Sequence, residues 1–300
     1  MLKFKSSKIL VPVDFSDTSR VAINHAGFIA QFTKGDIYLL HVISLSNPVL
    51  NILLPEVHVE KNVVFEKAGE KLAEWAEEIR KQFGVNVQTL VKSGSPHKEI
   101  LDTVDEFQID FIAMGTHGYG PIENLIIGSN TLKVATKSNA AVLCTRVEAT
   151  KKGYDHIILP IDTSANTRQK VNYAAEFALT FKSHIHVLGL LGSDEEEYKN
   201  DLQIMLKQTE NYLREKGVMY NVELVENVKN RATATIHYTS KNNGDLIIVM
   251  SDQDSELSGF FLGPYTQQII HHSTVPVIIL KPENISLDTN VTILGGTSGI

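Results

Sequence analysis

The residues of this chain best suited to chemistry lie between positions 115 and 131: Gly115-Thr116-His117-Gly118, then Gly120, then Gly128-Ser129-Asn130-Thr131. They follow a short apolar run, Phe111–Met114, and lead through a helical pattern into a second apolar run, Ala141–Cys144. A strand that ends in glycines and feeds a helix N-terminus is an anion site. Glycine lets the main chain approach a phosphate, and unpaired N–H groups with the helix dipole attract it. The hydroxyls of Ser129 and Thr131 add side-chain donors. Asp14, just past the apolar run Lys8–Val13, can accept from an amine or a sugar hydroxyl, or it can cap the helix that follows. Both readings stay open. His117, inside the loop, is read as a packed or partly solvated imidazole rather than a general base.

A glycine loop alone is a weak signal, and neither Gly-Lys-Ser/Thr nor G-x-G-x-x-G is present. The spacing Gly115-x2-Gly118-x9-Gly128-Ser129 resembles the ATP-binding signature of the universal stress protein family, G-x2-G-x9-G-[S/T]. Asp110 stands five residues before the first glycine, as that family usually has it. The resemblance implies an α/β fold of the adenine nucleotide alpha hydrolase-like, Rossmann-like kind: open parallel five-stranded sheets with helices on both faces. It implies an adenine nucleotide as ligand, ATP or AMP/ADP, with or without magnesium. It assigns Asp14 to the base or ribose, the Val42 backbone to the base edge, and Gly115, Gly118, Gly128 and Ser129 to ribose and phosphates. Pro12, Thr116, His117, Asn130 and Thr131 complete the set less firmly.

The elements that must position these residues follow from the patterning. Lys8–Val13 and Ile37–Ile43 read as buried strands, with Ser16 or Asp17 capping the helix between them. Residues 44–59 form a long connection with two prolines, and Asn62–Phe83 is an amphipathic helix whose Trp75 is read as core. Val85–Val91 is a strand, and Ser95-Pro96 opens a helix to about Phe107. Strands alternating with helices predict a parallel sheet covered on both faces. In such a sheet ligands bind beyond the carboxyl ends of the strands, where Asp14, Val42 and the glycine loop all fall.

After a polar hinge at Lys151–Gly153 the pattern restarts. Asp162 repeats Asp14 at an offset of 148, with Pro160 repeating Pro12. Further on, Asp245, Gly263 and Val277–Ile279 repeat Asp110, Gly128 and Val142–Cys144 at an offset of 135, because the long connection has no counterpart. This is an internal duplication. It predicts two domains, 1–148 and 153–282, each with its own core, a covalent pseudo-dimer, and a tail at 283–300 where Asn290–Leu294 could add an edge strand. The second copy is expected to have lost the site. Met250-Ser251-Asp252-Gln253 stands where Gly115–Gly118 does, and Pro264 replaces Ser129. Side-chain bulk, a lost N–H and the carboxylates of Asp252 and Asp254 all oppose a phosphate there. Phe260, Phe261 and Leu262 either line a pocket for a less charged ligand or bury the loop.

At 300 residues with a net charge of −7, the chain offers no basic surface for nucleic acid or membrane. No stretch approaches the ~18 apolar residues of a membrane span. Pro12 and Asp14 interrupt the apolar run after the basic N-terminus, so no signal peptide is expected. A single cysteine, Cys144, is read as an inert core thiol and fits a reducing, cytoplasmic setting. His184-x-His186 and His271-His272 lack the cysteine or clustered acid that would complete a zinc site. Three functional classes remain: a nucleotide-binding regulatory protein, a slow ATPase or self-phosphorylating enzyme, and a nucleotide-free scaffold. The enzyme is disfavoured because the loop itself brings no Lys or Arg to neutralise transferring phosphate, Lys133 and Lys137 falling inside the next helix. A homodimer of tandem chains and a monomer are both open.

Overall fold

The computed structural model describes residues 4, 6–44, 61–116, 127–150, 153–164, 166–193, 195–251 and 262–282. The long connection, His117, Gly118, Gly120, Asp252–Phe261 and the tail lie outside the described residues. The first copy runs β1 (Lys8–Pro12), α1 (Asp17–Thr33), β2 (Asp36–Ile43), α2 (Lys61–Phe83), β3 (Asn86–Ser93), α3 (Pro96–Phe107), β4 (Phe111–Gly115), α4 (Ser129–Lys137) and β5 (Ala141–Thr145). The second runs β6 (His156–Ile161), α5 (Gln169–Phe181), β7 (His184–Gly192), α6 (Lys199–Glu215), β8 (Met219–Val228), α7 (Arg231–Lys241), β9 (Leu246–Met250), α8 (Pro264–His272) and β10 (Val277–Leu280).

The two expected sheets are one. Ten strands lie in the order β3-β2-β1-β4-β5-β10-β9-β6-β7-β8. Within each half every pairing is parallel; the halves join where β5 meets β10 antiparallel, Leu143 opposite Ile278 and Cys144 opposite Val277. Pairing these two edges satisfies main-chain groups that each half alone would leave open. The strands read as continuous Val/Ile/Leu runs because both faces are covered. One face carries α1, α2, α5 and α6, the other α3, α4, α7 and α8, and each face has a single apolar cluster that crosses from one half to the other. The separate cores expected from length are thus fused.

Aromatic side chains knit the seam between α1 and α5. Phe28 and Phe32 meet Phe181 at ring-centroid distances of 5.9 and 5.3 Å, and Tyr154 lies 5.2 Å from Phe177. The buried Tyr154 hydroxyl is 2.9 Å from His25 Nδ1, while His25 Nε2–H donates to the Ala149 carbonyl at 2.7 Å. Burial lowers the His25 pKa, so the ring is neutral and the tyrosine hydroxyl donates.

Two repeated carboxylates hold the strand starts rather than a ligand. Asp110 accepts from the Lys8 N–H at 2.8 Å, tying β4 to β1 at the end opposite the glycine loop. Asp245 does the same for the Asp155 and His156 N–H groups, at 2.9 and 3.0 Å.

Candidate functional site

The strand order of the first half reverses between β1 and β4, and a cleft of about 180 Å³ opens beyond the carboxyl ends of these strands. Pro12, Val13 and Asp14 line it from β1, Leu40, His41 and Val42 from β2, and Met114, Gly115 and Thr116 from β4. Gly128, Asn130 and Thr131 line it from the start of α4, Pro96 and Ile100 from α3, and Ser19 from α1. Eight of the eleven residues expected from sequence converge here. Ser129 is exposed at the first position of α4, beside the cleft rather than in its lining. His117 and Gly118 lie outside the described residues.

Asp14 fixes the helix that follows it and also lines the cleft. Its Oδ1 accepts from Ser16 N–H (3.1 Å), Ser16 Oγ (2.5 Å) and Ser19 Oγ (2.7 Å), which fixes the entry into α1, while the residue stays exposed at the cleft. Ser16 is the helix N-cap and accepts from Ser19 N–H. Beyond Pro12 opposite Leu40, β2 runs on against β3 alone, so Val42 sits where its strand has lost its β1 neighbour. His41 Nδ1–H donates to the Val13 carbonyl at 2.8 Å and closes that end of β1. Next to Asp14, Phe15 holds a left-handed backbone with φ 67°, an outlier for a bulky side chain. Its ring is wedged against His41 (4.6 Å) and Trp75 (5.2 Å), with the Lys71 ammonium 4.6 Å from its centre. The counterpart in the second copy, Thr163, shows no positive φ.

The glycines and hydroxyls divide differently from the sequence reading. A Cβ on Gly115 would come within 2.8 Å of Thr18 Cβ, so this glycine is required by the packing of α1 on β4. The second copy has Met250 there, and α5 begins at Gln169, one turn later than α1 does relative to its own strand. A Cβ on Gly128 would lie 3.2 Å from the Thr116 carbonyl, which accepts the Gly128 N–H at 2.8 Å. The buried Thr131 hydroxyl donates to the Gly115 carbonyl at 2.9 Å, and Thr266 makes the same bond to Met250 at 2.8 Å. Thr131 therefore braces the β4–α4 loop through its hydroxyl. Helix α4 starts with no side-chain cap and no acid in its first turn, and its N-terminal field faces the cleft.

The second copy keeps the frame and places different side chains at the matched positions. Asp162 accepts from Ser164 N–H (3.0 Å) and Oγ (2.6 Å), as Asp14 does from Ser16. Lys170, in the place of the fully buried Ala22, is itself buried and donates to Thr167 Oγ1 at 3.1 Å. Burial pushes the Asp162 carboxyl up, but the Lys170 charge, the Ser164 hydrogen bonds and Arg231 together bring it below its usual value. Arg231 replaces Pro96 and pairs through one guanidinium nitrogen with both oxygens of Glu195. Tyr265 replaces Asn130, its hydroxyl 3.0 Å from that of Thr235, which replaces Ile100. The expected reasons for loss, Asp252 and Gln253, lie outside the described residues; Pro264 is the first residue of α8. Leu262 is buried.

Of the remaining polar candidates, His184 and His186 have close side-chain partners. His156 Nδ1 lies 3.1 Å from His186 Nε2, and His184 Nε2 lies 2.9 Å from Asn221 Oδ1, at the amino ends of β6 and β7. Burial, then His184 and His156, lower the His186 pKa to about 4. Among the described residues no group of three or more His, Cys, Asp or Glu side chains could hold a metal ion, and no helix is long and apolar enough to cross a membrane. Sequence reasoning missed Val13, Ser19, Leu40, His41, Pro96, Ile100 and Met114 as lining residues. Val13, Pro96 and Met114 were signalled only as element ends.

The sequence model of the universal stress protein family matches residues 5–146 and again 153–281. A universal stress protein of Methanocaldococcus jannaschii is 33% identical over 152 residues, covering 46% of this chain and 94% of the relative. One from Bacillus subtilis is 30% identical over 147 residues, covering 47% and 99%. The crystal structure of a universal stress protein from Archaeoglobus fulgidus superposes over 95% of this chain and 99% of its own with a TM-score of 0.77, at 22% identity, a likeness of fold. The chain belongs to the universal stress protein family, as two tandem copies.

Proposed function

We propose that the first copy binds one adenine nucleotide, ATP or a shorter relative, and that the second copy binds none in this mode. The protein then acts as a cytoplasmic regulatory or stress-protective binder in which nucleotide occupancy sets conformation or partner choice. The observation that carries this reading is the contrast between matched positions: Pro96, Ile100 and Asn130 line the first cleft, whereas Arg231, Thr235 and Tyr265 stand at the corresponding places, Arg231 paired with Glu195 and Tyr265 hydrogen-bonded to Thr235. The Asp14 carboxylate and Val42 backbone suit the base and ribose, and the start of α4 suits the phosphates. Magnesium, where needed, enters on the phosphates. Pairing β5 with β10 already joins two copies within one chain, and a homodimer of such chains would need a different surface.

Binding shifts a conformational equilibrium only through differential affinity for its states. The rigid bracing of Asp14 and Thr131 makes the first cleft a preformed site. The test is titration calorimetry with ATP and AMP, together with mass spectrometry of small molecules that co-purify. Saturable heat at one site per chain supports the reading, and its absence with both nucleotides rejects it in favour of a nucleotide-free scaffold.

A further inference from the structure

Resting on the reading of the first cleft as a nucleotide site, we propose that His97 and Lys133, with the charge of Lys137 behind them, form a cationic shelf at its mouth that receives the outer phosphates of a nucleoside di- or triphosphate. His97 stands in the first turn of α3, next to the cleft-lining Pro96, its Nδ1 3.0 Å from Ser95 Oγ. Its ring hydrogen-bonds the side chain of Asn130, which lines the cleft from α4. Lys133 and Lys137 follow Asn130 by about one and two turns, so all three share one side of α4. The imidazole thus bridges the cleft lining and a pair of lysines.

The second copy lacks this arrangement. Ala232, Gln268 and His272 stand where His97, Lys133 and Lys137 do. Two lysines beside an imidazole repel its proton. Burial and then Lys133 and Lys137 hold the His97 pKa below its usual value. The other elements packed on α3 bring His41 from β2 and, from β3, Lys92 bridged to Glu106; Lys98 and Glu99 adjoin His97 on its own helix. A polyphosphate reverses that balance, so His97 takes up a proton as the outer phosphates dock. A monophosphate, held at the start of α4, gains little from the shelf.

Calorimetric titrations of the full chain with ATP and AMP, in two buffers of different ionisation enthalpy near pH 7, test this against His97→Gln and Lys133→Gln. Expected are tighter binding of ATP than AMP, net proton uptake with ATP that disappears in His97→Gln, and ATP affinity lowered about two- to fivefold by each change, as for solvent-screened charge pairs. AMP affinity stays within about twofold, and the ATP preference shrinks with added salt. Lys133 is exposed on a helix, so Lys133→Gln retains the fold even where His97→Gln does not. Equal affinity for ATP and AMP in the wild type, or equal losses for both in the variants, overturns the shelf and leaves the nucleotide site standing. Binding of neither nucleotide overturns both.

Discussion

Gly115→Ala separates a packing glycine from a ligand-binding one. The added Cβ would sit 2.8 Å from Thr18 Cβ, 2.9 Å from Thr18 Oγ1 and 3.3 Å from the Thr18 carbonyl carbon. The first and last of these contacts are tied to the main chain, so no rotamer change clears them. The first turn of α1 must move off β4. Overpacking of this kind costs about 1–3 kcal/mol, offset by about 0.4–1 kcal/mol from the stiffer unfolded chain. The net loss is about 1–2 kcal/mol. For domains of 150–250 residues that corresponds to a melting point lower by about 2–8 °C. The assay is chemical and thermal unfolding of the nucleotide-free protein, with Thr18→Gly added to complete a double-mutant cycle. A coupling energy of about 1 kcal/mol is expected, because the second change removes the obstructing Cβ. Unchanged stability without nucleotide, alongside a collapse in nucleotide affinity, would refute the packing role.

Three further outcomes follow from buried groups. Lys170→Met removes the first of the attractions that lower the Asp162 carboxyl and should destabilise the protein in urea unfolding, part of the loss being recovered by adding Asp162→Asn. In the wild type the Asp162 carboxyl is held below its unfolded value, so its contribution is present above about pH 3.8 and lost as pH falls further; the double variant loses less stability in that window. His186, lowered from 6.5 to about 4, favours its neutral form in the folded state, so stability should decline as pH falls from about 6.5 towards 4, and His186→Gln should flatten that slope. Burial pushes the Cys144 thiol up to about 12, so maleimide at neutral pH should label it only as fast as the chain unfolds.

Much of this molecule was legible in its sequence because the signals are local. Apolar runs, capping residues and the exact spacing of repeated aspartates and glycines marked both copies and placed Asp14, Val42 and the glycine loop at one end of the sheet. What stayed hidden depends on groups distant in sequence. No local pattern announces that Cys144 will face Val277, because any Val/Ile/Leu edge could pair with any other. Asp110 looked like part of a ligand signature, but its partner is the Lys8 N–H at the far end of the strands. Gly115 was read for its place at the ligand, and its tight packing on Thr18 had no mark in the sequence. Lys170 passed as an ordinary helix residue, since a lysine in sequence carries no mark of being buried. His97 gained meaning only when helix packing set it beside Asn130 and Lys133.

Counting nucleotides bound per chain tests the contrast between the halves most directly, by native mass spectrometry of the full chain with ATP. One nucleotide per chain is expected, abolished by bulk introduced at the first cleft with Ile100→Trp and retained in Tyr265→Ala. Two per chain, or one that survives Ile100→Trp and vanishes with Tyr265→Ala, would contradict it.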